Sequence, residues 1–113
     1  MSPRSPEERL TDIRDAIDAI AAHRREARKV GLADSSGLLL DSVVRQLAII
    51  GEAASHLPDD VLDRHPAIPW RGVKGMRLWL DHEYHRVDAD VVWRTVADRL
   101  PELRSAVEAE LSE

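Results

Sequence analysis

The chain contains no cysteine and no phenylalanine, and it has a single tyrosine. The lack of cysteine excludes disulfides and thiolate metal sites, and a reducing compartment fits. With aromatics at only 4% of residues, the core has to be built from Leu, Ile, Val and Ala, a composition that favours helix over sheet. No apolar run approaches the length of a membrane span, and Met1-Ser2-Pro3-Arg4-Ser5-Pro6 holds no apolar leader region. The expectation is a soluble, cytoplasmic protein that enters no membrane. No glycine-rich phosphate loop follows a strand, because no strand is predicted, and no serine sits in a nucleophile-elbow signature. An excess of positive charge is also lacking: 16 Lys and Arg stand against 21 Asp and Glu, a net charge of −5. That balance argues against non-specific coating of nucleic acid, and no DNA partner is expected.

What is present is charge of both signs, 33% of 113 residues, which calls for the large solvated surface of a thin helical bundle. The length predicts one domain, residues 1–113, with a single core that is marginal as a monomer. The charge is unevenly spread. Between Arg64 and Arg86 five cations face two anions, before His65, His82 and His85 are counted. Such an island suits a local phosphate contact, although a solvated surface with chance clustering accounts for it equally well.

Helix signals run along the chain. Ser5-Pro6-Glu7-Glu8 reads as an N-cap, a proline at the first helical position and a capping box, followed by the stripe Leu10, Ile13, Ile17 and Ile20. Arg24, Arg25, Arg28 and Lys29 complement the dipole at the end of that helix, and Gly31 ends it. A second helix is predicted from about Gly37 to Leu57, with Leu39, Leu40, Val43, Val44, Leu47, Ile50 and Ala54 turned inward. Leu38 and Ile49 widen its apolar surface, so it is either the central helix or part of a subunit interface. At Gly51 either another backbone packs closely or the chain bends. Residues 58–64 form a short turn of helix, and Pro69 opens the next one, whose first turns Gly72 and Gly75 leave open to a backbone or a phosphate. Asp88 caps a last helix, which Pro101 either kinks or divides. The sum is all-α: four to five antiparallel helices joined by short loops.

One stretch stands apart. In Arg77-Leu78-Trp79-Leu80-Asp81-His82-Glu83-Tyr84 a cation, a group titrating near neutrality and a phenol share an otherwise apolar segment. At 100° per residue Arg77 and Tyr84 lie within roughly 20° of each other, but Arg77 and His82 are about 140° apart. On one straight helix these two cannot face one phosphate. Either the helix ends or distorts near His82, or a two-fold axis brings a second copy alongside and makes the site composite. The fitting chemistry is phosphoryl transfer on RNA without metal: an imidazole moves a proton and a guanidinium holds the non-bridging oxygens. The plain alternatives are a structural histidine and an Arg77–Asp81 pair at i+4. A zinc-protease pattern fails, since the position four beyond His82 is Arg86. Trp70, Trp79 and Trp93 are open to base stacking or to packing, with Trp79 the best candidate for exposure.

Arg77-x-x-Leu80-x-His82-x-Tyr84, preceded by Ile50-Gly51-Glu52-Ala53 and Pro69-Trp70 and followed by Val92-Trp93 and Leu100-Pro101-Glu102-Leu103, resembles the HepT-like branch of the HEPN superfamily. The similarity runs from the first helix to beyond Leu103. It implies a small all-α homodimer, many of whose relatives are toxins of bacterial toxin–antitoxin pairs. It further implies a metal-independent endoribonuclease that needs no cofactor, with Arg77 and His82 catalytic at a cleft between protomers. The implied partner, besides the RNA substrate, is a minimal nucleotidyltransferase antitoxin that modifies the motif tyrosine, here Tyr84, with AMP. Lys74, Asp81, His85 and Arg86 are the flanking candidates for phosphate or RNA contact. Two positions depart from the pattern: Leu78 where a polar residue, often Asn, is common, and His85 where an aromatic is. The first keeps open a second expectation, a catalytically weak or inactive module of the same fold that binds nucleotide or protein.

Overall fold

The capping box at the start of the chain forms as its residues dictate. The Ser5 hydroxyl accepts from the Glu8 amide at 3.1 Å and the Ser5 amide donates to the Glu8 carboxylate at 3.2 Å, which opens helix α1 (Pro6–Lys29). At its far end Gly31 takes a positive φ of 81°, the Leu32 amide donates to the Ala27 carbonyl at 2.9 Å and the Gly31 amide to Arg28 at 3.1 Å. That double closure satisfies carbonyls the helix leaves over, and glycine adopts the left-handed conformation without a Cβ clash. The structure, a computed structural model, describes residues 4–82 and 88–112, with only the backbone described for Asp81 and His82.

Helix α2 (Gly37–Ser55) is the central one. All seven residues predicted to turn inward are buried, Val43, Val44, Leu47, Ile50 and Ala54 completely, while Leu38 and Ile49 stay exposed. It packs along α1 on one side and is crossed on the other by a chain of short elements: α4 (Trp70–Gly75), a 3₁₀ turn (Met76–Leu78) and α5 (Trp79–His82). These are reached through α3 (Asp59–Asp63), which stops before His65-Pro66 as the prolines require. Pro69 is the cap rather than the first helical residue of α4, its carbonyl accepting from Val73 at 3.0 Å. Asp88 caps α6 (Ala89–Leu111), accepting from the Asp90 and Val91 amides at 2.9 and 3.3 Å. Helix α6 continues through Pro101 without dividing. The proline forfeits the bond to the Ala97 carbonyl, and Ala97 is exposed, so solvent can serve that oxygen. No strand occurs among the described residues. The all-α bundle is thus three long helices with a path of short ones laid across α2.

Buried apolar residues of every long helix join in one core. Ion pairs tie its ends. Arg104 of α6 grips Asp18 of α1 with two bonds of 2.8 and 3.0 Å, and Arg64 and His65, beyond α3, converge on Glu110 of α6 at 2.6 and 2.7 Å. The Glu110 side chain is 7% exposed. Hydrogen bonds from Arg64, reinforced by His65, outweigh the burial and hold its pKa at about 2 instead of 4.5. A carboxylate with a depressed folded pKa stabilises the fold above its unfolded pKa and loses that contribution as pH falls through the folded value. Between pH 5 and pH 2 the melting temperature of the protein is therefore expected to fall, and Glu110→Gln, less stable at neutral pH, is expected to show a shallower acid slope. Parallel slopes for the two proteins would show that Glu110 is not the titrating anchor.

Candidate functional site

The site begins with a missing side chain. Gly51 sits mid-way along the buried face of α2, and a Cβ built on it would overlap the Arg77 amide nitrogen while lying 2.9 Å from the Met76 carbonyl carbon and 3.0 Å from the Val73 oxygen. Backbone therefore lies on backbone, and the 3₁₀ turn is seated directly on α2. Of the two alternatives at Gly51, the structure has the close approach. Gly72 and Gly75 do not make that backbone contact: a Cβ at Gly75 meets nothing within 4 Å, and the nearest atoms to one at Gly72 are the guanidinium of Arg99, 3.0 Å away. Val73 and Met76, at 0 and 1% exposure, anchor the crossing from the inside.

With its backbone fixed, Arg77 points its exposed side chain into a groove of about 380 Å³. Arg9 and Asp12 of α1 line it, with Arg45, Ala48, Ile49, Glu52 and Ala53 of α2 and Leu80 of α5. The two carboxylates are turned to cations outside this set. Arg4 holds Asp12 with bonds of 2.8 and 2.6 Å, and His56 bonds Glu52 at 2.8 Å. Arg45 and Arg77 have no hydrogen-bond or ion-pair partner among the described residues. The Arg9 Nε is buried and has no acceptor among them.

The other sequence candidates distribute as follows. Lys74 is half-buried on α4 and does not line the groove. Asp81 and His82 are the last residues of α5, described in backbone only, while Tyr84, His85 and Arg86 lie outside the described residues. A helical distortion falls at Met76–Leu78, on Arg77 itself, while α5 is described as far as His82 and the residues that follow it lie outside the described ones. Winding at about 120° per residue adds roughly 20 to 40° to the angle between Arg77 and His82 instead of closing it. Trp79, the candidate for exposure, is half-buried against the core, as are Trp70 and Trp93. The indole N–H of Trp70 donates to the His65 and Leu62 carbonyls at 3.0 and 3.2 Å, and that of Trp93 to the Asp34 carbonyl at 2.8 Å, so both pin loops. The basic island shrinks as well, since Arg64 is committed to Glu110. Arg9 and Arg45 were missed because they come from helices far away in sequence. The one available signal was Arg45 itself, a cation four residues before Ile49 on an otherwise apolar helix.

A larger cavity, about 430 Å³, opens between α1 and α6, where Arg24 lies 4.1 Å over the Trp93 ring. None of the candidate catalytic residues lines it. Arg24 and Arg28 both bond Asp34, at 2.7 and 3.0 Å, and hold its carboxyl well below the usual range. These cations therefore tie a loop as well as complementing the helix dipole.

Comparison with known proteins places this architecture. Residues 13–110 match the model of a family described as Ribonuclease HepT-like. The chain belongs to the HepT-like ribonuclease family. It is 40% identical over 106 residues to the "Probable ribonuclease HepT" of Thermococcus cleftensis, spanning 93% of this chain and 94% of that one. It is also 40% identical over 70 residues, 62% of each chain, to the "Putative RNase TTE0752" of Caldanaerobacter subterraneus subsp. tengcongensis. No solved structure gives a significant match. In this HepT-like protein the matched span takes in Gly51 and Arg77, and Arg9 precedes it.

The seating of the turn is open to a direct test. Gly51→Ala improves helix propensity by about 1 kcal/mol, yet the added methyl has to displace backbone. The expected net loss is about 1 to 3 kcal/mol in urea unfolding, with Met76–Leu78 shifted away from α2 in a structure of the variant. A variant as stable as the parent, with the turn unmoved, would show that the contact is not tight.

Proposed function

We propose that this protein is a metal-independent endoribonuclease that works as a homodimer, with Arg77 and His82 forming a composite site at the cleft between protomers. The observation that carries the reading is the placement of Arg77, which is backbone-locked, unpaired among the described residues and turned into a cationic groove, on a chain of ribonuclease family. In this reading His82 of one protomer takes the proton of a ribose 2′-hydroxyl as its oxygen attacks the neighbouring phosphorus. The bond to the 5′-oxygen breaks, and that oxygen leaves with a proton from the second His82. The products are a 2′,3′-cyclic phosphate and a 5′-hydroxyl end. Arg77 stabilises the charge on the non-bridging oxygens.

Two features support the dimer. Within one chain the 3₁₀ turn rotates Arg77 further from His82, so a second copy is the simple way to bring the two residue types to one phosphate. Around the same groove Ile49, Leu78 and Leu80 stand 38, 43 and 43% exposed, an apolar margin suited to burial against another copy. Leu78, next to Arg77, then acts as an interface residue where a polar one would bind phosphate. For regulation we propose a toxin role, with a nucleotidyltransferase antitoxin that adds AMP to Tyr84. Its support is the sequence resemblance, and Tyr84 is two residues beyond His82.

The purified protein is expected to cut single-stranded RNA in the presence of chelator, leaving cyclic phosphate ends. Arg77→Ala and His82→Ala should each lower the rate at least about 100-fold, and solution mass should be that of a dimer. A folded wild type that binds RNA and leaves it intact would favour the inactive binding module. Incubation with the cognate nucleotidyltransferase and ATP should add the mass of AMP at Tyr84; label on another residue would defeat the regulatory part.

A further inference from the structure

The groove holds more positive charge than one catalytic arginine accounts for. We propose that Arg9 and Arg45 form a backbone-phosphate subsite that extends the site away from Arg77 and holds a phosphodiester next to the one being cut. This deepens the ribonuclease reading and rests on it.

Three observations converge. First, Arg9, Arg45 and Arg77 line one groove although they come from α1, α2 and the 3₁₀ turn. Three guanidinium groups repel one another, an arrangement that is unfavourable until an anion enters. Second, the two carboxylates in the groove are engaged elsewhere, Asp12 in a two-bond grip by Arg4 and Glu52 with His56. They soften the field without taking the donors of the three arginines. Third, the Nε of Arg9 is buried with no acceptor among the described residues. Buried donors are satisfied in folded proteins, and a charged one strongly so. A phosphate held by the outer nitrogens of the same guanidinium would bring negative charge against this buried N–H.

The ligand class follows from the donors. A guanidinium presents a planar fork that suits two oxygens of a phosphate. The subsite is therefore expected to raise affinity for any RNA strand, and its loss should fall on KM rather than kcat.

The test uses the full chain and a single-stranded 2′-O-methyl RNA, which cannot supply the nucleophile, so binding is read without cleavage. Arg45→Gln, Arg9→Gln and the double variant should weaken binding about tenfold or more, and each should reduce the slope of log affinity against log salt by about 0.7. Arg45→Lys should recover part of the loss. Arg45 is exposed, so its variants keep the proposal testable if the partly buried Arg9 proves necessary for folding. In cleavage assays KM should rise with binding. If wild type cuts RNA while the Arg45 variants bind with unchanged affinity and salt slope, the subsite is overturned and the ribonuclease reading stands. If the variants lose affinity but wild type cuts nothing, the subsite stands and the ribonuclease reading falls. A loss confined to kcat would overturn the subsite by making Arg45 part of the chemistry.

Discussion

Everything at the candidate site depends on one contact, the seating of the Met76–Arg77 peptide on the backbone of α2 at Gly51. Glycine in mid-helix sacrifices about 1 kcal/mol of propensity relative to alanine. The return is that Val73 and Met76 reach the core at 0 and 1% exposure, and full burial of such side chains is worth roughly 1.5 to 3 kcal/mol each. The balance favours the close crossing. Because the seat is made by main-chain atoms, the direction in which Arg77 leaves the turn is set by the most deeply buried helix of the molecule. The groove wall (Arg45, Ala48, Ile49, Glu52 and Ala53) belongs to that same helix, so the wall and the arginine entering the groove share one support.

The features legible in the sequence are those whose physics is local. The Ser5–Glu8 capping box, the Gly31 ending, the Asp88 cap and the inward stripe of α2 each involve residues within a turn of one another, and each forms as read. Gly51 was legible as a special position but not as to which partner approached it, because that partner lies 22 to 26 residues further on. The same limit explains Pro101, where the choice between division and continuity is made by the packing of Leu100, Leu103 and Val107. Trp79 was open to stacking or to packing from the sequence, and its position against the core is a tertiary fact. Arg9 and Arg45 carried almost no local signal, since a groove between helices is defined only once the helices meet.

Electrostatics show the same division between chain and fold. A net charge of −5 describes the chain, but the carboxylates are not spread as a uniform negative field. Asp18, Asp34 and Glu110 each have their pKa lowered, and in each case the largest cause is a hydrogen bond from an arginine of another part of the chain. Asp12 is likewise gripped by Arg4. These pairs knit α1 to α6 and the loops to both, and of the four carboxylates Asp12 alone lines the groove. Within a Debye length of about 8 to 10 Å, a phosphate approaching Arg77 meets the local set of guanidinium groups more than the distant negative charge. An acidic protein can therefore carry an anion site without a basic surface.

The least expected element is the apolar margin around this cationic groove. Were the groove simply an RNA channel on a monomer, Ile49, Leu78 and Leu80 would stand exposed beside charges with nothing to bury them. Were it simply a dimer seam, the unpaired arginines would be desolvated against a partner, at an energetic penalty that neutral residues would avoid. The two facts are compatible if the margin buries against a second copy while the floor stays open to an anion. The angular relation in the motif points the same way, because the tighter winding of the 3₁₀ turn widens the angle between positions 77 and 82. The composite cleft proposed above would accommodate the apolar rim, the cationic floor and the wide angle between positions 77 and 82 together.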